Sequence, residues 1–219
     1  MKEIVIVGAG PSGLFAANEL ADDYDVSMLE RRDYVGGSGL RSDGKLNFHP
    51  MIGGDLTEFL MENEAWDLVR YIRDIFTDLG VERMEQKESG LKDLEARAVK
   101  AGIRFIKIDQ NHIGSDHLPE VLSRMRRRLE ERGVSFLLET NVTDLPVEGG
   151  RVTGVMTDKG FHRADEVILV PGRIGSGWLI SLMSRLGVQM HYNPIDVGLR
   201  IEVPNEVMDV IIGGCGIWD

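Results

Sequence analysis

The feature that most constrains this chain lies in its first 30 residues. Residues 4–7 (Ile-Val-Ile-Val) are a continuous apolar, β-branched run, the pattern of a strand buried on both faces. Gly8-Ala9-Gly10-Pro11-Ser12-Gly13 follows directly, and Leu14, Ala17, Leu20 and Ala21 then recur on one helical face. Val26, Met28 and Leu29 mark a second strand over 25–30 that ends at Glu30. Strand, glycine turn, helix and strand form the smallest unit of a parallel sheet.

The turn reads G-x-G-x-x-G, with an acidic residue about 20 positions on. Each part has a physical job. Gly8 permits the tight turn, Gly10 lets the backbone approach a pyrophosphate, and Gly13 lets helix lie close on strand. The helix start offers free N–H groups and the positive end of its dipole to phosphate. Glu30 is placed to accept hydrogen bonds from a ribose hydroxyl, and its charge opposes a 2′-phosphate, an objection that Arg31 and Arg32 soften.

Glycine is in excess, 26 of 219 residues, and nine of these fall within the first 54, so the excess is local. The formal net charge is −11, which repels nucleic-acid backbones and anionic lipid surfaces. The basic run Arg124, Arg126, Arg127, Arg128 and Arg132 alternates with the apolar stripe Val121, Leu122, Met125 and Leu129, and reads as the solvent face of a helix. Glu62, Glu64 and Asp67 read the same way. The single cysteine, Cys215, excludes an internal disulfide or a dithiol mechanism and suits a reducing cytoplasm. No apolar stretch approaches membrane-spanning length, and glycines interrupt the N-terminal apolar run where a signal peptide needs a helix. His112 and His117 are near enough to share a site but have no cysteine pair or nearby third ligand, and His162 and His191 stand alone, so no metal site is expected.

Further along, helices are expected over 56–79 (stripe Leu68, Ile72, Ile75, Phe76 and Leu79, closed by Gly80), 91–100, from a cap at Asp116 to Gly133, and 176–186. Strands are expected at 103–108, 134–138 and 195–203, with an antiparallel meander over 147–170. The expected fold is α/β: a Rossmann-like parallel sheet with helices on both faces plus the meander. Residues 1–190 form the dinucleotide-binding domain, with a helical insertion at 50–100, and 191–219 begin an incomplete substrate or cap region.

The fingerprint alone serves flavin and nicotinamide dinucleotides alike. A simple NAD half brings its third strand soon after the acidic residue. Here the next expected strand starts more than 70 residues later, which suits a cofactor whose far end needs extra cover. There is no second G-x-G-x-x-G, so a reductant such as NAD(P)H, or a protein electron partner, is external.

The N-terminal motif resembles that of the FAD/NAD-linked flavoprotein superfamily that includes glutathione-reductase-type enzymes. Residues 164–172 look like its second signature, a strand running into a glycine turn at Gly172, and Val142 maps to its backbone contact with adenine. More narrowly, residues 36–39, 42–47, 113–119, 171–178 and 196–204 resemble a family of prokaryotic FAD-dependent dehydrogenases, over essentially the whole chain. The later Gly-Asp segment of the superfamily has no match, so the chain reads as an N-terminal part.

The resemblance implies FAD as cofactor and an oxidoreductase that moves a hydride or electrons between a small substrate and flavin N5. The implied cofactor residues are Gly8, Ala9, Gly10, Pro11, Ser12, Gly13, Glu30, Arg31, Gly37, Ser38, Gly39, Lys45, Val142 and Gly172. Arg41, Asn47 and His49 are further candidates near the flavin, and no catalytic residue is assigned. An NAD(P)-binding Rossmann dehydrogenase and a non-catalytic FAD-binding part completed by another chain remain as alternatives.

Overall fold

The computed structural model describes residues 1–42, 44–82, 91–105, 107–191, 197–199, 202–204 and 206–209. In chain order the elements are β1 (Glu3–Val7), α1 (Pro11–Leu20), β2 (Asp25–Leu29), β3 (Lys45–Asn47), α2 (Glu62–Asp78), α3 (Leu91–Lys100), β4 (Gln110–His112) and α4 (Gly114–Glu131). They continue with β5 (Ser135–Leu137), β6 (Val142–Asp144), β7 (Val147–Glu148), β8 (Arg151–Val152), β9 (Gly154–Thr157), β10 (Gly160–Arg163), β11 (Glu166–Leu169) and α5 (Ser176–Arg185). Contacts divide the chain into two units: residues 1–45, 78–81 and 112–191, and residues 46–77, 82–111 and 192–219.

The first unit is built on a four-stranded sheet of order β11-β1-β2-β5. All three pairings are parallel, with Ile6 opposite Ile168 on one side and Met28 on the other. β1 is central and buried on both faces, as its unbroken apolar run requires. Because side chains alternate along a strand, Val5 and Val7 share one face while Ile4 and Ile6 share the other. The first face, with Leu29, packs on Val142, Leu145, Val155, Ala164 and Leu182, which come from the antiparallel region and α5. On the second face α1 lies over β1 and β2, and α4 packs on α1. Leu14, Ala17 and Leu129 are fully buried there, each large apolar side chain contributing roughly 1.5–3 kcal/mol of burial.

The stripe expected on α4 (Leu118, Val121, Leu122, Met125 and Leu129) is buried in full. Its arginines find local partners: Arg124 donates to the Leu79 carbonyl and Glu120, Arg126 to Glu130, and Arg132 to Asp22 and to both the side chain and carbonyl of Asn18.

Several expectations need correction. Asp116 lies in the first turn of α4 and is not its cap, since the helix starts at Gly114. The third strand of the parallel sheet is β5, not 103–108; described residues there carry no strand, and the nearby strand β4 pairs with β3 in a separate two-stranded ladder. Local apolar texture at 103–108 mimics a strand, but sheet membership is decided by which edge a segment can reach. The expected meander also divides. β9 pairs with β10 and β6, β7 pairs with β8, and β11 leaves the antiparallel group to join β1 in parallel.

In the second unit, α2 buries Ala65, Val69, Ile75 and Phe76, so its inner face is rotated from the expected stripe and Leu68 is exposed. Phe48 meets Phe76 edge-on at 6.3 Å, and the Arg73 guanidinium, paired with Asp109, lies 4.6 Å from the Phe48 ring centre. The strand expected at 195–203 lies partly outside the described residues, whose members there carry none, and Cys215 lies outside them entirely. Among the described residues no helix is long and apolar enough to cross a membrane.

Candidate functional site

The turn between β1 and α1 is held by contacts that only glycine allows. Gly8 sits at φ 111°, and a Cβ there would lie 2.4 Å from the carbonyl oxygen of Val170, just past the end of the neighbouring strand β11. A Cβ on Gly13 would lie 2.1 Å from the carbonyl oxygen of Gly8 and 3.1 Å from the Met28 side chain. Gly10 differs from both: a Cβ there meets nothing within 4 Å. Packing does not explain it, and its open side lies in a hollow.

That hollow encloses about 320 Å³ and is lined by four segments. Gly8, Gly10, Pro11 and Ser12 come from the turn; Glu30, Arg31, Arg32 and Tyr34 follow β2; Val170, Pro171, Gly172, Arg173 and Ile174 follow β11. Gly37, Ser38 and Arg41 line it from the second glycine segment, and the contacts that bring them there are specific. The Gly36 N–H donates to the Ala9 carbonyl at 2.8 Å. Gly37, at φ 53°, would place a Cβ 3.1 Å from the Gly10 Cα, and Gly39 would place one 3.2 Å from the Pro11 ring. Two glycine clusters far apart in their local patterns therefore pack backbone against backbone.

α1 opens into this hollow with no side-chain cap on its first turn and no acidic residue there. Its N–H groups and dipole are thus available to an anion. Around it the hollow carries four arginines, Arg31, Arg32, Arg41 and Arg173, against one acid, Glu30. In a chain of net charge −11 this is a local reversal of sign.

Glu30 is fixed before any ligand arrives. One carboxylate oxygen accepts the Ala9 N–H and the other the Arg32 N–H, both at 3.0 Å. Each oxygen keeps a further lone pair for a hydroxyl donor. The backbone beneath it is clamped as well: Glu139 and Thr140 donate their N–H groups to the Arg32 and Glu30 carbonyls, both at 2.9 Å. To do so Glu139 adopts φ 51°, the one non-glycine residue with positive φ among those described.

A second, smaller hollow of about 80 Å³ shares Gly8, Glu30, Arg31 and Pro171 with the first, so the two are contiguous. Its remaining lining is Val7, Leu29, Thr140, Asn141, Val142, Gly175 and Trp178. These come from the ends of β1 and β2, the start of β6 and the start of α5, at the carboxyl end of the parallel sheet, where open α/β sheets bind ligands.

Of the residues singled out from the sequence, Gly8, Gly10, Pro11, Ser12, Glu30, Arg31, Gly37, Ser38 and Gly172 line the larger hollow, and Val142 lines the smaller. Ala9, Gly13 and Gly39 shape the wall from behind. Lys45 is exposed at the start of β3 and does not line the hollow; Arg41 of the same segment does. Asn47 and His49 belong to the second unit, where Asn47 pairs with Gln110 and His49 accepts the Met51 N–H and meets the Trp66 ring at 5.1 Å. Tyr34, Thr140, Asn141 and Trp178 were not singled out. They are scattered over some 140 positions, and although Trp178 closes the stretch 171–178 that carries the family resemblance, no local pattern marks any of the four as lining a site.

Comparisons with known proteins agree with this geometry. Residues 3–209 match the family DAO, FAD dependent oxidoreductase. A D-amino acid dehydrogenase of Cereibacter sphaeroides is 43% identical over 75 residues, 34% of this chain and 16% of that protein. Thiamine thiazole synthase of Archaeoglobus fulgidus is 34% identical over 113 residues, 48% of this chain and 37% of that protein. The matched stretches thus span from about a sixth to little over a third of these relatives.

Among solved structures, L-proline dehydrogenase from P. horikoshii superposes with a TM-score of 0.58 at 16% identity, covering 87% of this chain and 57% of the other. Glycine oxidase from Bacillus cereus does so with a TM-score of 0.56 at 19% identity, covering 84% and 59%. They share the Rossmann-like fold: a parallel sheet flanked by helices with an antiparallel layer. With the family matched from β1 onward across nearly its full length, this chain belongs to the FAD dependent oxidoreductases, whose cofactor is FAD.

Proposed function

We propose that the two contiguous hollows hold the adenosine and pyrophosphate parts of FAD, and that the protein moves a hydride or electrons between a small substrate and the flavin. The observation that carries this is the meeting of Gly10, the uncapped start of α1, four arginines and Glu30 around one open space. On this reading the larger hollow is the phosphate side. There Gly10 and Ser12 offer backbone N–H groups, and Arg41 and Arg173 neutralise charge. Glu30 takes the adenosine ribose, whose hydroxyls can donate to its remaining lone pairs. The smaller hollow is the adenine side, with Val142 supplying backbone contact. Gly37, Ser38 and Gly39 lead toward the flavin, and Gly172 turns the chain past the phosphates.

When bound, the flavin supplies the hydride-accepting position, N5; the protein supplies orientation and charge. We assign cofactor recognition to residues 1–190, including the 50–100 insertion, and the start of a substrate region to 191–219. The substrate is a small molecule, and amino acids are the class to try first because the relatives include D-amino acid dehydrogenases. Electrons leave or arrive through an external NAD(P)H or a protein partner. We place the chain in the cytoplasm, in keeping with its single cysteine.

The test is the chain purified and titrated with FAD. The expected result is a yellow protein with a flavin absorption band, or stoichiometric uptake of added FAD with a change in flavin fluorescence. Uptake of NAD(P)H with no affinity for FAD overturns the assignment. Anaerobic bleaching of the bound flavin by members of a D-amino acid panel identifies the substrate class.

A further inference from the structure

We infer that Trp178 is the wall on which the adenine base stacks, and that it makes the smaller hollow selective for a purine. This rests on the reading above, in which that hollow takes the adenosine end.

Trp178 is the third residue of α5. Its indole N–H, the ring's only hydrogen-bond donor, is given to the Thr143 carbonyl at 3.3 Å. What the ring presents to the hollow is therefore π-surface and carbon edge. The ring is also fixed in place. It is half-buried against the apolar cluster that includes Val5, Val7, Leu29, Val142 and Leu182. Seven residues on, and on the same side of α5 by the helical repeat, Arg185 makes two hydrogen bonds to Asp144, at 3.0 and 3.2 Å. These two attachments, Trp178 to Thr143 and Arg185 to Asp144, fasten α5 to consecutive residues of β6.

Val142, which lines the same hollow, begins that strand. The aromatic wall and the backbone expected to face the base are thus parts of one rigid assembly, in position before a ligand arrives. Among the lining residues Trp178 is the only aromatic one. Two lining groups, Arg31 and Glu30, are charged and lie where this hollow meets the larger one. A flat heterocycle entering there meets one large planar surface, and a two-ring base covers more of it than a one-ring base does.

The experiment follows ADP binding to the full chain by calorimetry and by tryptophan emission, with FAD affinity measured alongside. The chain has three tryptophans, so the difference between wild type and Trp178→Phe isolates this one. Trp178→Phe keeps a ring without the N–H, and Trp178→Leu keeps apolar bulk without the ring.

ADP is expected to quench wild-type emission, and the quench is expected to vanish in Trp178→Phe while ADP affinity stays within about threefold. Trp178→Leu is expected to weaken ADP and FAD by about tenfold, the scale of one base stacked on an aromatic side chain, with thermal unfolding of the ligand-free protein like that of Trp178→Phe. Wild type is expected to prefer ADP over CDP, and Trp178→Leu to lose much of that preference. A merely structural role makes Leu and Phe behave alike toward ADP. That outcome, a quench that survives in Trp178→Phe, or equal affinity of wild type for ADP and CDP overturns the inference while leaving the cofactor reading intact. Wild type that binds neither ADP nor FAD overturns the cofactor reading, and this inference with it. Should Trp178→Leu fail to fold, the quench and the ADP-to-CDP ratio in wild type and Trp178→Phe still decide.

Discussion

The two hollows sit side by side and share Glu30, yet they are built from different materials. The larger hollow, proposed for the phosphates, is mostly backbone: glycines, a helix start and carbonyl-to-amide ties, with four arginines in its lining. The smaller hollow, proposed for adenine, is mostly side chains (Val7, Leu29, Thr140, Val142, Trp178) delivered by four separate elements and held by fastenings between them. Backbone sites tolerate almost no substitution where the chain passes close to itself. Side-chain sites bend with the groups that support them.

On the phosphate side, Gly13→Ala should damage the fold itself. The new methyl would lie 2.1 Å from the Gly8 carbonyl oxygen, a backbone atom that cannot swing aside. A cost of about 3 kcal/mol is expected, lowering Tm by roughly 6–12 °C for a chain of this size, as calorimetry or circular dichroism would show. An unchanged Tm would mean that α1 stands off from β1 by more than the structure shows.

Gly10→Ala is the counterpart, three positions earlier in the same turn. Its methyl meets nothing within 4 Å and its φ of −78° is ordinary for alanine. Stability should change by less than about 1 kcal/mol, the scale of a Gly-to-Ala change at a helix cap. FAD affinity should fall about tenfold or more, because the methyl takes the space that close approach of a pyrophosphate needs. Flavin fluorescence titration beside a melting curve separates the two effects. If both glycines cost stability and neither costs affinity, the open side of Gly10 is not where the cofactor lies.

How much of this could be read from the sequence follows the same division. The phosphate turn is contiguous, so the local rules for strand, glycine turn and helix suffice to place residues 4–30. The same holds for α4, whose expected apolar stripe is buried at every position, whereas on α2 the packing partners rotate the buried face away from the expected one. The second glycine segment is recognisable, and the sequence puts both Arg41 and Lys45 toward the flavin. Arg41 lines the hollow and Lys45 does not, since a backbone tie from Gly36 to Ala9 sets which residues of the segment face inward. The lining of the smaller hollow, proposed for adenine, is legible in the sequence only at Val142. Thr140 and Trp178 meet only because α5 is fastened to β6 and β11 crosses to pair with β1, and both are tertiary events. The failed strand at 103–108 makes the same point from the other side, where a strand-like local pattern found no sheet edge.

A third test concerns the rim of the phosphate side. Arg41→Ala should weaken FAD about three- to tenfold at low ionic strength, and the loss should shrink as salt approaches ~1 M, where screening acts over only ~3 Å. Trp178→Leu acts through apolar contact, so its loss should not shrink with salt. Titrations at low and high salt for both variants would show whether the two hollows differ in kind as proposed. Parallel salt curves would mean that they do not.

The smallest effect belongs to the fastening of the adenine side. The hydrogen bonds from Arg185 hold the Asp144 carboxyl below its ordinary range, helped by the Leu145 N–H and opposed slightly by desolvation. A carboxyl whose folded-state pKa is depressed adds stability above its unfolded pKa of ~3.9 and loses that contribution as pH falls through the folded value. An exposed pair of this kind is worth on the order of 0.2–1 kcal/mol. Wild type should therefore be slightly more stable than Asp144→Asn at pH 7, with the gap closing as acid protonates Asp144. Adenine-side binding should track it, because the same pair steadies the helix that carries Trp178. ADP affinity of Asp144→Asn should be reduced about twofold at neutral pH and match wild type in acid. The Gly10 turn is held by backbone groups that do not titrate, so inorganic pyrophosphate should bind both proteins equally at either pH. If pyrophosphate affinity instead changes with Asp144→Asn, the two hollows are mechanically one, and the contrast between them fails.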